Sequence, residues 1–173
     1  MKANEYNGSL EEFLQKYNYQ PELTSKLDDL GNEVITQEIL NQIVLWKVNR
    51  YVKLNDNMMA LYNQIKFITK GNHRESKDIL KLLLNTHGVD LAMASTLLRF
   101  RNPEVFQIID RHAYRAIYDQ DYPLYAGSPI NNKLDLYYEY IDKLITLCEE
   151  KELDFKNIDR LMYMFDKEVN GKL

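Results

Sequence analysis

The sequence has few of the residues that build disulfide-linked, metal-binding or membrane proteins. Its 173 residues include one cysteine, Cys148, and only three histidines. A single cysteine excludes an internal disulfide and any site held by several cysteines, and the histidines lack metal-ligand spacing. No apolar run approaches the roughly 20 residues that cross a bilayer, and the N-terminus lacks the apolar stretch of a secretory signal. We therefore expect a cytoplasmic protein without metal, cofactor or membrane partner.

Acidic residues outnumber basic ones overall, but the charge is unevenly distributed. The net charge is −4, whereas residues 41–118 hold twelve Lys or Arg against six Asp or Glu, a net of +6. The flanking segments therefore carry −10. A basic middle between acidic ends is typical of a protein with one face toward a polyanion. We expect that partner to be DNA, bound through the 41–118 region.

The apolar spacing is helical along the whole chain, with no alternating strand pattern. Capping residues precede the predicted helices at Ser9, Thr36, Asn55 or Asp56, Ser76, Asp90 and Asp110. The longest loop covers residues 119–131. These features predict an all-α fold of about eight or nine helices, and the length predicts a single domain over 1–173.

A short polar break, His87–Asp90, separates two apolar helical runs within residues 76–101. Gly88 suits a helix C-terminus because glycine adopts positive φ, and Asp90 suits the next N-cap. Val89 can pack back on the following helix as a hydrophobic staple. By itself, the break predicts a well-capped helical hairpin.

The segment from His87 to Arg115 has the order of a known motif. It reads HGVDLAMASTLLRFRNPEVFQIIDRHAYR, and Gly88 and Asp110 are 22 residues apart. This order resembles the helix-hairpin-helix DNA glycosylase superfamily, which includes endonuclease III and the adenine and 8-oxoguanine glycosylases. The upstream helix EILNQIVLWKVNR is similar to the buried helix of that family's core. The resemblance implies a glycosylase-like core over 36–118, with 1–35 and 119–173 as a second lobe.

The sequence departs from the family motif at two positions. Bifunctional members carry a lysine four residues after the first hairpin glycine, where this chain has Ala92, so Schiff-base chemistry at that position is excluded. The second hairpin glycine is replaced by Asp90. Hairpin N–H groups normally bind phosphate, and a carboxylate there competes for them and repels the anion. The resemblance therefore implies at most a monofunctional glycosylase with a weakened phosphate site.

Asp110 matches the family's catalytic aspartate. Glycosidic cleavage develops positive charge on the sugar, which a neighbouring carboxylate stabilises while it orients the attacking water. The resemblance implies this role for Asp110. The alternative is that Asp110 only caps the helix 111–118.

Lys47 falls in the middle of an apolar arc on the helix 36–51. At 100° per residue, Ile39, Ile43 and Val44 surround it, and Arg50 lies at the edge of the arc. A lysine there needs a carboxylate or a polar cleft, and Asp110 is the candidate partner. Lys47 would then be a catalytic proton donor or nucleophile, with Trp46 and Arg50 binding substrate. The alternative is a lysine that extends past its apolar stem into solvent.

The remaining candidate nucleic-acid contacts are His87, Gly88 and Val89 in the hairpin, and Arg111 and Arg115 after Asp110. His112 lies beside these arginines, and all three side chains also fit a solvated helix face. The tyrosines at 137, 138 and 140 suggest base stacking. Neighbouring residues on one helix cannot share a face, however, so packing explains most of them.

We expect a DNA-repair function, the monofunctional hydrolysis of an N-glycosidic bond to a flipped, damaged or modified base. The alternative is a non-catalytic nucleic-acid- or protein-binding module that retains the glycosylase fold. A helical toxin, antitoxin or phage-response component is a third possibility that no residue distinguishes from the second.

Overall fold

All regular structure in the described part of the chain is helical. The computed structural model describes residues 17, 19–31, 34–48 and 52–171. Eight α-helices lie in these ranges: α1 Pro21–Asp28, α2 Gln37–Lys47, α3 Asp56–Gln64, α4 Lys77–Leu84, α5 Leu91–Arg101, α6 Arg111–Tyr118, α7 Ile130–Lys151 and α8 Ile158–Phe165. Short 3-10 turns cover Ile65–Phe67, His73–Ser76 and Phe155–Asn157, and a π-turn covers Asp166–Asn170. The all-α prediction is confirmed for these residues, whereas the helix predicted after Ser9 lies outside them.

Most of the predicted capping residues form side-chain hydrogen bonds at the start of their helices. The Thr36 side chain accepts a hydrogen bond from the Ile39 N–H at 3.3 Å, and Asn55 accepts one from Met58 at 2.9 Å. Such caps satisfy N–H groups that lack a partner within the helix. Ser76 differs, because residues 73–76 form a 3-10 turn and its Oγ donates to the His73 carbonyl at 2.6 Å. Ser76 therefore precedes α4 without capping it.

The chain divides into two compact units, residues 1–51 and 52–173. In the first unit α1 packs on α2. The predicted core 36–118 spans the division between the units. That core, its flanking lobes and the single domain remain predictions.

The core of the second unit forms around α7. This helix buries one face along its length, and α4 and α6 pack against it while α8 packs on α6. Several of the largest side chains in this unit are completely buried: Ile65, Leu80, Leu83, Phe106, Ile109, Tyr137, Tyr140, Ile141, Leu144 and Ile158. Burial of this much apolar surface is the main stabilising contribution to the unit.

The segment 106–110, which joins α5 to α6, has no regular structure, and side chains hold its backbone. The Tyr137 hydroxyl donates to the Gln107 carbonyl at 3.0 Å, and the Tyr140 hydroxyl donates to the Ile108 carbonyl at 2.9 Å. The Ile109 N–H donates to Ser95 Oγ at 3.2 Å. These bonds replace the backbone partners that a helix or a sheet would supply. They fix the position from which α6 begins.

Candidate functional site

The predicted hairpin forms between α4 and α5. α4 ends at Leu84, and Gly88 has a φ of 76°, which glycine adopts without steric cost. Val89 is buried, and its N–H donates to the Thr86 carbonyl at 3.1 Å. His87 is exposed. The hairpin is therefore a tight turn with Gly88 at positive φ, but the C-cap of α4 is Asn85, so the expectation that Gly88 ends this helix is wrong.

Asp90 begins α5 and forms an ion pair with a buried lysine on α7. Its Oδ1 accepts a hydrogen bond from the Leu91 N–H at 2.8 Å and lies 2.7 Å from Lys133 Nζ. Lys133 also donates to the Ala126 carbonyl at 2.8 Å. The Lys133 side chain is only 7% exposed, whereas that of Asp90 is 48% exposed. The hairpin is thus attached through Lys133 to the loop that precedes α7.

This arrangement changes the electrostatic character of the hairpin. The Asp90 carboxylate does occupy an N–H at the start of α5, as the sequence predicts. Its negative charge is compensated, however, because the Lys133 ammonium lies in direct contact with it. The repulsion of an approaching phosphate is therefore weaker than Asp90 alone would cause.

Small residues on α5 connect the hairpin to Asp110. Ala94 and Ser95 are completely buried, so the segment 106–110 approaches α5 closely. Ser95 accepts the Ile109 N–H one residue before Asp110. This hydrogen bond between Ile109 and Ser95 fixes the position of Asp110 relative to α5, the second helix of the hairpin.

Asp110 caps α6 with one of its two carboxylate oxygens. Oδ1 accepts a hydrogen bond from the Ala113 N–H at 2.7 Å. Within the described part of the chain, Oδ2 accepts no hydrogen bond, and the residue is half-buried. The capping role is therefore present, and it leaves the second oxygen for another contact.

Trp46 and Lys47 lie in the first unit, at the end of α2. The Trp46 indole N–H donates to Thr24 Oγ1 at 2.8 Å, and its ring packs edge-on against Tyr19 with centroids 5.2 Å apart. Trp46 thus joins α1 to α2 through packing and one hydrogen bond. Its role in substrate binding remains a prediction.

Lys47 is exposed, as are its apolar neighbours Ile43 and Val44. The expectation that it is desolvated is wrong, and the solvent-exposed alternative describes it. The predicted pairing of Lys47 with Asp110 joins residues of different units and remains a prediction. Arg50 lies outside the described residues.

Arg115 and His112 bind a carboxylate of their own chain. Arg115 donates from Nε and Nη2 to the two oxygens of Asp166, each at 2.8 Å, and His112 Nδ1 lies 2.7 Å from Oδ2. Asn170 donates to the same carboxylate, which is completely buried. The Arg115 hydrogen bonds above all hold the pKa of Asp166 far below its usual range. The expected phosphate contact at Arg115 is thus replaced by an ion pair, whereas Arg111 is exposed and suits an external anion.

The tyrosines of α7 belong to the core. Tyr137 and Tyr140 are completely buried and Tyr138 is 6% exposed, so none of them presents a ring for base stacking. Burial raises the pKa values of the Tyr137 and Tyr140 hydroxyls well above 10. Their hydroxyls therefore act as neutral donors to the segment that precedes Asp110.

Sequence reasoning missed Lys133, although the signal was present. Tyr137, Tyr140 and Leu144 follow Lys133 at helical spacing, and all three are completely buried. A lysine on such a stripe needs a carboxylate, and Asp90 supplies it. Lys133 is thus a lysine on a buried apolar face that pairs with a carboxylate, as was expected of Lys47.

Two other contacts, an ion pair and a contact between an imidazole and a carboxylate, involve buried residues far apart in the sequence. Arg99 on α5 lies 3.5 Å from Asp159 on α8, with both side chains buried. His73 Nε2 lies 3.1 Å from Asp142 on α7. Burial lowers the pKa of His73, Asp142 opposes that shift, and Arg74 adds to it.

The described residues contain no group of three or more His, Cys, Asp or Glu side chains placed to hold a metal ion. Among them, no helix is both long and apolar enough to span a membrane. Comparison of the chain with protein-family models, curated proteins and solved structures finds no match.

Proposed function

We propose that the chain is a glycosylase-like protein that hydrolyses the N-glycosidic bond of a flipped, damaged or modified base in DNA. Asp110 is the catalytic residue. The proposal is based on the motif order of the sequence and on the arrangement of Asp110, the hairpin and α5 within one unit.

One observation carries the proposal: only one of the two oxygens of the Asp110 carboxylate is used to cap α6. Oδ1 is fixed by the Ala113 N–H, and Oδ2 accepts no hydrogen bond from the described residues. The positive end of the helix dipole attracts a carboxylate at the helix N-terminus. Asp110 therefore presents a fixed, negatively charged oxygen at a half-buried position, as stabilisation of a sugar cation requires.

The proposed reaction uses this oxygen in two ways. As the bond between the sugar and the base lengthens, positive charge develops on the sugar, and Oδ2 stabilises it. The same oxygen orients the water that attacks the sugar carbon and accepts a proton from it. Ala92 occupies the lysine position of the bifunctional members, so no Schiff base forms at that position.

DNA binding in this proposal depends on the hairpin and on exposed basic residues. Lys133 compensates the charge of Asp90, so phosphate can approach the start of α5. Arg111, exposed one residue after Asp110, adds a positive charge beside the catalytic carboxylate.

The test measures base excision from duplex oligonucleotides that carry deaminated, alkylated or oxidised bases. Asp110→Asn should abolish excision without unfolding the protein, because asparagine caps a helix about as well as aspartate. Asp119→Asn is the matched control, since it removes the same charge at the exposed opposite end of α6. Normal excision by Asp110→Asn would refute the catalytic role.

Borohydride trapping tests the monofunctional mechanism separately. The protein should form no trapped complex with DNA during excision, because hydrolysis proceeds without a Schiff base. A complex that is trapped by wild type and lost in Lys47→Met would instead identify Lys47 as a nucleophile and overturn the mechanism.

A second candidate function is a non-catalytic binding module, which two contacts favour. Asp90 occupies the Leu91 N–H of the hairpin, and Asp166 occupies the Arg115 guanidinium. Because the Leu91 N–H and the Arg115 guanidinium already bind carboxylates of the chain, neither is free to bind a DNA phosphate. Salt-dependent binding to undamaged duplex distinguishes the candidates, because phosphate contacts give a steep loss of affinity as salt rises. Absence of DNA binding at low salt would favour a protein-binding module.

A further inference from the structure

A pocket lies in the second unit between the C-terminal part of α7, the Phe155–Asn157 turn and the segment that follows α5. Its volume is about 390 Å³, within the range of small-molecule sites. Val105, Ile145, Cys148 and Phe155 supply apolar walls. The pocket therefore fits the apolar body of a small ligand.

The charged residues at the pocket differ in whether they form ion pairs. Lys70, Glu104 and Glu149 line it, and Lys70 Nζ lies 3.3 Å from Glu104 Oε2. Lys156 lies 3.5 Å from the other oxygen of Glu104. Glu104 thus pairs with both Lys70 and Lys156, whereas Glu149 forms no ion pair within the described residues. The Glu149 side has an uncompensated negative charge.

The Cys148 thiol supports this assignment of charge. Cys148 is 8% exposed, and its thiol lines the pocket without a hydrogen bond from the described residues. Burial raises the pKa of the thiol, and the carboxylates of Asp154 and Glu149 raise it further. Two carboxylates therefore lie near the wall of the pocket that Cys148 forms.

We infer that this pocket binds a small apolar molecule that carries an ammonium group. The apolar body lies against Val105, Ile145 and Phe155, and the ammonium group contacts Glu149. The inference concerns a different surface from Asp110 and does not depend on the proposed function.

Three ligands of one shape test the inference, namely phenethylamine, phenylpropionate and phenethyl alcohol. Calorimetric titration should show that phenethylamine binds with the highest affinity, phenethyl alcohol with a lower affinity and phenylpropionate with the lowest. Because Cys148 is the only cysteine in the sequence, its alkylation by iodoacetamide reports on the pocket. Phenethylamine should slow alkylation, and the other two compounds should slow it less.

Glu149→Gln should weaken phenethylamine binding about two- to fivefold, as expected for a partly exposed ion pair. Glu150→Gln is the matched control, since it is an exposed neighbour that does not line the pocket. Both variants should retain the wild-type circular dichroism spectrum. The inference is overturned if phenylpropionate binds as well as phenethylamine, if no compound protects Cys148, or if Glu149→Gln and Glu150→Gln bind alike.

Discussion

Removal of Asp90 should destabilise the protein more than removal of Lys133, although the two residues form one ion pair. The difference follows from what each substitution leaves behind. Asp90→Ala leaves an ammonium group whose side chain is 7% exposed, with the Ala126 carbonyl as its remaining partner. Lys133→Met leaves a carboxylate that is 48% exposed, so water solvates it.

The expected magnitudes follow from these exposures. Loss of one partner of a buried ion pair lowers the free energy of unfolding by about 3–5 kcal/mol. For Asp90→Ala we expect about 3 kcal/mol from the ion pair, at the lower end because Lys133 keeps the Ala126 carbonyl, and about 1 kcal/mol more from the lost cap of α5. Lys133→Met loses the hydrogen bond to Ala126, worth about 1 kcal/mol, while the methionine side chain fills most of the lysine volume. The difference between the two variants is therefore about 3 kcal/mol.

Equilibrium urea unfolding at neutral pH, followed by far-ultraviolet circular dichroism and tyrosine signals, measures these values. The fluorescence of Trp46 is a poor probe because that residue lies in the first unit. The double variant of Asp90→Ala with Lys133→Met should be more stable than Asp90→Ala alone, since it no longer contains the unpaired ammonium. Asp135→Ala, an exposed change on the same helix as Lys133, serves as a control with little effect.

The reasoning would be refuted if Lys133→Met were as destabilising as Asp90→Ala. It would also be refuted if the two effects added in the double variant, because additivity indicates no coupling between the side chains.

Two further predictions concern pH. The folded-state pKa of Asp166 is depressed, so its stabilising contribution is present at neutral pH and is lost as the pH falls below about 4, the usual unfolded value. Asp166→Asn should therefore be less stable than wild type at pH 7 by urea unfolding, and an equal difference at about pH 3 would contradict this. The pKa of His73 is lowered, so the folded protein favours its neutral form and loses stability as the pH falls through about 6.5. His73→Phe should remove part of the stability change between about pH 7 and pH 5.5, and an unchanged pH profile would exclude His73 as its source.

The sequence predicts local structure in this protein better than long-range contacts. Thr36, Asn55, Asp90 and Asp110 each cap a helix, because capping depends on the next few backbone N–H groups alone. The hairpin turn at Gly88 follows from the same local chemistry.

The contacts at the candidate site depend on tertiary packing, which the sequence does not display. Asp90 and Lys133 are 43 residues apart, and Arg115 and Asp166 are 51 apart. Helical periodicity shows which side chains face the core, but not which element lies opposite. Lys47 and Lys133 each lie on the apolar face of their helix by sequence spacing, and only the structure distinguishes the exposed lysine from the buried one. Asp110 could be selected from the sequence because its position relative to Gly88 resembles that in a known motif, and its catalytic role remains a proposal.

The two tyrosine hydroxyls beneath the segment 106–110 have a consequence for how this chain tolerates insertions and deletions. A connection between helices usually accepts an added or lost residue, since its backbone faces water. Here Tyr137, Tyr140 and Ser95 bind successive backbone groups of Gln107, Ile108 and Ile109. One added residue would move each group away from its partner and rotate Asp110 off the start of α6. The length of this connection is therefore set by the core of the protein.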